Sequence, residues 1–207
     1  MRSADLITCD GFPVAGYARW RGCKLPGRVT GREVVDDLLT STLLGPEHRL
    51  FFLVDSVETA MAVSEWAARH CPQIDCHAEV APMGFGSDAD YCGDLATRIR
   101  EFGATILFLC VGAPRSELFA ARYREHMPDC WILCVGQSVK LSLGLDQKPP
   151  AVVEKLHVEW LWRLGREPRR LFRRYVTGVI GFAMAVIDDI GSGEHSRPAS
   201  QDMRIYN

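Results

Sequence analysis

The chain of 207 residues contains no apolar run near the roughly 18 residues that a membrane-spanning helix requires. Cysteine is too sparse for a disulfide scaffold: eight among 207 residues is about 4%, below the roughly 8–10% of such scaffolds. The N-terminus carries nothing like a charged, apolar, small-residue export signal, so the expected compartment is a reducing cytoplasm. A formal net charge of −2 gives no overall pull toward nucleic acid, and no nucleic-acid partner is expected. With 47% hydrophobic and 24% charged residues, the composition also excludes disordered, collagenous and coiled-coil classes.

What is present is unevenly placed. Between Ala151 and Tyr175 seven Lys/Arg stand against three Glu, a local charge of +4 that leaves −6 on the remaining 182 residues. Several cysteines lie inside apolar runs (Cys110, Cys130, Cys134), where a thiol behaves as a small hydrophobe. The segment His70-Cys71-Pro72-Gln73-Ile74-Asp75-Cys76-His77 offers possible metal ligands. Its spacing matches no compact zinc pattern, and it reads as a helix end and a strand start separated by Pro72.

Short apolar runs alternate with amphipathic stretches of helical length, the pattern of an α/β fold with a Rossmann-like, mostly parallel sheet flanked by helices. Strands are predicted at Asp5 to Thr8, Leu50 to Val54, Ile74 to Val80, Ala104 to Val111 and Trp131 to Val135. Helices are predicted over Val34 to Leu44, opened by a Thr30/Glu33 capping box, and over Val57 to Arg69, capped by Ser56. Two more are predicted, one from Asp88 or Asp90 to Glu101 and one from Arg115 to Glu125. Parallel crossovers bring the chemistry-bearing strand ends to one sheet edge: Asp10, Val54 to Ser56, Gly112 to Glu117 and Gly136 to Lys140. After Lys148-Pro149-Pro150 no further strand follows, so the core is placed at 1–150. A basic, amphipathic helical appendage follows at 151–190, and a loose polar tail at 191–207. In the appendage Val152 to Leu164 reads as one helix, and Pro168 suits the first turn of the next. Thr177 to Ile187 is apolar for a length that suits lying in a bilayer interface.

Four ordered segments carry a resemblance. They are Ala4-Asp-Leu-Ile-Thr-Cys-Asp10-Gly-Phe-Pro-Val14, Gly27-Arg-Val-Thr-Gly31, Val111-Gly-Ala-Pro-Arg-Ser-Glu117, and the stretch from Val158 through Glu159-Trp160-Leu161-Trp162-Arg163 to Tyr175. Together they resemble the WecG/TagA/CpsF family of bacterial glycosyltransferases. The resemblance implies a peripheral enzyme on the inner face of the cell membrane. Such an enzyme moves a sugar from a UDP-sugar donor to a polyprenyl-diphosphate-linked sugar acceptor, in teichoic acid, capsule, exopolysaccharide or common antigen assembly. It implies inversion at the anomeric carbon without an essential metal or other cofactor.

By the same resemblance Asp10 matches the family's proposed catalytic aspartate and Arg28 its proposed diphosphate contact. Arg163, Arg170 and Arg173 match appendage arginines thought to close over the diphosphate. The chemistry agrees: a positioned carboxylate can take the proton of an acceptor hydroxyl, and guanidinium forks suit phosphate oxygens. Each residue also has a plainer reading. Asp10 could cap the following helix, Arg28 could form a surface ion pair, and the basic appendage could rest on anionic lipid. Gly112, Pro114, Arg115, Ser116 and Glu117 form a strand-to-helix turn whose backbone N–H groups suit a phosphate or uracil. It is no P-loop, lacking the Gly-Lys-Ser/Thr ending. Asp88-Ala-Asp90 reads as a helix start rather than a metal-binding Asp-x-Asp.

The chain departs from the family pattern at Ser116 (usually Gln), at Lys140 (usually Asp) and at Lys148-Pro149-Pro150 (usually Arg-Ala-Pro). It also begins close to Asp10, whereas relatives carry a further N-terminal segment with a strand. Three readings therefore stand open: the active transferase, a catalytically degenerate membrane-associated binding or scaffold protein, and an unrelated nucleotide-binding α/β protein. Homo-oligomerisation is open as well.

Overall fold

The computed structural model describes residues 4–8, 11–25, 27, 29–41, 44–146, 165 and 168–191, with only the backbone described at 12 and at 168–175. The chain divides into two compact units, one built from Met1–Asp10 and Gly27–Lys148, the other from Gly11–Pro26 and Pro149–Asn207.

Helix α1 (Phe12–Trp20) belongs to the second unit; in the first the described elements are α2 (Gly31–Thr40), β1 (Arg49–Val54), α3 (Val57–His70), β2 (Asp75–Val80), α4 (Ala89–Phe102), β3 (Ile106–Leu109), α5 (Arg115–Tyr123), a 3-10 turn (Arg124–His126), β4 (Trp131–Cys134) and α6 (Ser138–Ser142). The four strands form an all-parallel sheet of order β2-β1-β3-β4, in register at Phe52 with Phe108 and Leu53 with Leu109. Successive side chains on a strand point to opposite faces, so the apolar runs feed two cores. Leu50, Phe52, Val54, Ile106, Phe108 and Cys110 pack with Val35 and Leu39 of α2, Val63 of α3 and Val139 of α6. Phe51, Leu53, Leu107, Leu109 and Val111 pack with Leu95 and Ile99 of α4 and Phe119 of α5. The sheet is thus covered on both faces, as continuous apolar strands require. The Phe52 and Phe108 rings stack at 4.4 Å across the β1–β3 pair.

The helix starts follow the caps. Thr30 Oγ1 accepts from the Glu33 N–H at 3.1 Å while Glu33 Oε2 accepts from the Thr30 N–H at 2.7 Å, completing the expected capping box. Ser56 caps α3 and Asp88 caps α4, the latter by accepting from the Tyr91 N–H at 3.0 Å. Asp88 therefore works as a helix start. The His70–His77 segment is likewise a helix end followed by β2: His70 Nδ1 meets the Trp66 carbonyl, and His77 lies against Phe51 and Phe102.

Three expectations are corrected. Asp5 to Thr8 is not a strand; Leu6 and Ile7 are exposed, and Asp5 pairs with Arg124 at 2.6 Å instead of joining a ladder. Helix α2 stops at Thr40 instead of Leu44, where Ser41 turns to extended backbone. The helix after the Gly112 turn ends at Tyr123 and tightens into a 3-10 turn over Arg124–His126.

The second unit contains α1 (Phe12–Trp20) and α7 (Pro168–Gly191). Helix α1 was not marked in the sequence; Gly11 is its N-cap and a proline lies in its first turn. Helix α7 begins at Pro168, as expected, while the predicted helix over Val152 to Leu164 lies outside the described residues. The Tyr17 hydroxyl donates to Asp189 Oδ2 at 2.6 Å, Arg21 Nε pairs with the same oxygen at 3.2 Å, and Tyr17 meets Phe182 edge-on. Phe182, Val186 and Asp189 are half-buried at helical spacing. Val176, Val179, Ile180, Met184, Ile187 and Ile190 remain exposed. No helix among the described residues is long and apolar enough to cross a membrane.

Candidate active site

Strand order decides where a ligand fits. The chain runs from β1 to its neighbour β2, then crosses to β3 on the other side of β1. The helix after β1 packs on one face (α3, through Val63) and the helix after β3 on the other (α5, through Phe119). Their loops therefore part at the carboxyl ends of β1 and β3, which makes this the topological switch point, the place where open α/β sheets bind ligands.

Three loops line that edge. After β3, Gly112 has φ +80°, and after β4, Gly136 has φ +54°, left-handed values that favour glycine. The turns approach closely, since a Cβ on Gly136 would lie 4.0 Å from the Gly112 Cα. Helix α5 starts on Pro114, and the Ser116 N–H donates to the Gly112 carbonyl at 3.2 Å. At Gly31, the end of the Gly27-to-Gly31 motif, a Cβ would meet Ser138 Oγ at 3.0 Å and the Val135 carbonyl at 3.5 Å. The start of α2 is thereby set beside the β4–α6 turn, joining segments about a hundred residues apart in sequence.

The turn residues fall into distinct roles. Ser116 is 1% exposed, and its hydroxyl is within reach of the Gly112 carbonyl at 3.4 Å and the Leu109 carbonyl at 3.5 Å. It ties the first turn of α5 to the end of β3. Arg115 donates through Nη2 to the Val111 carbonyl at 3.0 Å and lies exposed against Gly86. Glu117 Oε2 is shut from solvent and accepts no hydrogen bond among the described residues. A Glu at this third helical position commonly bonds the N–H of the N-cap residue. Here the cap is Pro114, which has no N–H to give. Burial, with the Glu117 charge adding, pushes the neighbouring Cys134 thiol up to about 11, and burial pushes the Cys130 thiol up to about 12. The Cys110 thiol is raised by burial as well, so these sulfurs stay protonated and act as apolar groups.

Asp10, Arg28 and Arg163 lie outside the described residues. Arg170 and Arg173 fall in the first turns of α7, where the backbone alone is described. Sequence reasoning placed Asp55 within a chemistry-bearing strand end, Val54 to Ser56, without naming it as a site residue. Its carboxylate receives Lys140 Nζ at 2.8 Å on Oδ1 and 2.9 Å on Oδ2. Among the described residues no group of three or more His, Cys, Asp or Glu converges in a metal-ligating arrangement.

A covered, all-parallel sheet with two glycine turns and a polar pair at its switch point defines an α/β, Rossmann-like fold. Comparison with known proteins specifies the class further. Residues 1–195 match the model of the "Glycosyl transferase WecG/TagA/CpsF family", and the chain belongs to that family; it is a glycosyltransferase. It is also similar to an N-acetylglucosaminyldiphosphoundecaprenol N-acetyl-beta-D-mannosaminyltransferase of Bacillus spizizenii, 27% identical over 185 residues that cover 87% of this chain and 70% of the relative.

Proposed function

We propose that the protein transfers a sugar from a UDP-sugar to a polyprenyl-diphosphate-linked sugar at the inner face of the cell membrane, as a step in the synthesis of a cell-surface polysaccharide. The observation that carries this reading is membership of the family over residues 1–195. The named relative suggests the first pair to try, an N-acetylmannosaminyl donor and an N-acetylglucosaminyl-diphospho-undecaprenol acceptor.

In the proposed reaction Asp10 takes the proton of the acceptor hydroxyl. The acceptor oxygen bonds to the anomeric carbon as the bond from that carbon to the diphosphate oxygen breaks, and its electron pair leaves with UDP. A single displacement inverts the anomeric centre. The departing charge is held by Arg28, Arg163, Arg170 and Arg173, and fixed cations there do the work for which a metal would otherwise be needed. The Gly112–Glu117 turn cradles the donor. The exposed apolar residues of α7, beside the basic stretch that opens it, support interfacial binding next to a lipid acceptor.

The test is transfer of label from UDP-N-acetylmannosamine to a short-chain lipid-diphosphate-N-acetylglucosamine, with Asp10→Asn alongside. The wild type forms product of inverted configuration with chelator present, and the variant slows by roughly 10²–10⁴-fold. Equal rates would remove Asp10 from the base role. Product that forms only after a divalent cation is restored would remove the metal-independent mechanism.

A further inference from the structure

The pair Lys140–Asp55 stands at the switch point and spans the carboxyl end of β3. Asp55 follows β1 and Lys140 lies in α6 after β4, while the Cys110 thiol at the end of β3 feels both charges. The two side chains are 23% and 32% exposed, for Lys140 and Asp55 respectively. A partly exposed ion pair of this kind contributes only modestly to stability. It does hold a mobile cation where the ligand of such a sheet belongs.

Asp55 has support of its own. The wholly buried Thr59 lies with its hydroxyl 3.4 Å from Asp55 Oδ1, and Asp55 immediately precedes Ser56, the N-cap of α3, where the helix end favours negative charge. The carboxylate therefore has a contact and a helix end of its own besides the lysine. Lys140 is the movable partner, a compact charge on a flexible four-carbon stem, the form in which lysine binds phosphate.

Resting on the donor reading above, we propose that Lys140 is a phosphate-binding residue of the donor site, and that it exchanges Asp55 for the diphosphate of the nucleotide sugar. Asp55 is then a competitor for the same cation: it stations Lys140 at the switch point and weakens diphosphate binding by the amount needed to release it. In a position where the family usually has an aspartate, the charge is reversed and the compensating acid stands at the end of β1. This gives the two residues effects of opposite sign, which a purely structural ion pair does not.

Calorimetric titration of the full chain with UDP and with uridine tests this. Lys140→Ala is expected to weaken UDP binding by roughly 10- to 100-fold, the worth of a charge-assisted hydrogen bond, and to leave uridine binding unchanged. Lys140→Arg keeps the preference for UDP over uridine. Asp55→Asn tightens UDP severalfold, again without effect on uridine. UDP affinity that ignores Lys140→Ala, or that falls in Lys140→Ala and Asp55→Asn alike, overturns this proposal and leaves the donor reading intact. Loss of UDP and uridine together in Lys140→Ala, with Lys140→Arg folded and equally impaired, assigns the lysine to structure and overturns it too. A wild-type chain that binds no UDP at millimolar concentration overturns the donor reading, and the proposal with it.

Discussion

The two units handle apolar surface in opposite ways. In the α/β unit, Leu50 to Val54 and Ile106 to Val111 are all buried, and their side chains are divided between two cores that the unit's own helices close. In the helical unit, α7 places Phe182 and Val186 half-buried, while six large aliphatic residues from Val176 to Ile190 are more than a third exposed. Scattered exposed hydrophobes are ordinary, but a face of them at helical spacing marks a surface built to meet something else. One unit closes its hydrophobic residues into cores, and among the described residues of the other a row of them stays at the surface.

The sharpest way to break that contrast is a pair of truncations. Phe108→Ala removes a wholly buried ring stacked on Phe52 in the centre of the sheet. It is expected to cost about 3–5 kcal/mol, a large fraction of the roughly 5–15 kcal/mol a domain possesses, and to show in denaturant unfolding. Met184→Ala, at 65% exposure, is expected to shift stability by less than about 0.5 kcal/mol. Comparable losses in both would mean that α7 is covered in solution.

A charge on the exposed face of α7 sharpens the same comparison. Ile180→Glu and Ile187→Glu place an anion among residues 53% and 69% exposed. The double variant is expected to lose most of its co-sedimentation with vesicles rich in phosphatidylglycerol, because apolar insertion is lost and repulsion is added. Its melting temperature should stay that of the wild type. Vesicle binding that survives the double variant would assign any membrane contact to other surfaces.

How much of this was legible in sequence depended on how local the signal was. The Thr30/Glu33 capping box, the Ser56 cap, Asp88 as one of two candidate caps and the four apolar strands are short-range patterns, and each is present, though Ala104 to Val111 forms a strand only over Ile106–Leu109. Asp5 to Thr8 has a strand's composition, yet a strand exists only with a partner, and none is recorded there. Helix α1 was given no range in the sequence, where a following helix entered only as what Asp10 could cap; Gly11 is its N-cap and a proline lies in its first turn. At the site the glycine turn was readable from Gly112 onward. The partner of Lys140 was not, because Asp55 lies 85 residues away and only the strand order brings the two together. Ser116 likewise looked available to a ligand, and the fold turns its hydroxyl onto backbone carbonyls.

A modest, pH-dependent effect tests whether the closed unit is also held at its edge. On edge strand β2, Glu79 receives Arg98 through Nε at 3.1 Å and Nη2 at 2.6 Å, and the Tyr91 hydroxyl at 2.7 Å. Burial works to raise its pKa, but these hydrogen bonds and the Arg98 charge outweigh it and hold the carboxyl below the usual glutamate value. A carboxyl lowered in the folded state contributes stability above its unfolded pKa, and that contribution is lost as pH falls through the folded one. Glu79→Gln should therefore be less stable than the wild type at pH 7, by about 1 kcal/mol or less because Arg98 is near the surface. The difference should start to shrink as pH falls through the ordinary glutamate value of about 4.3 and close only once the folded carboxyl, held lower, takes up its proton. A gap that persists unchanged down to pH 3 would mean that Glu79 acts through packing and neutral hydrogen bonds, and that the charge pairing between β2 and α4 adds nothing to the fold.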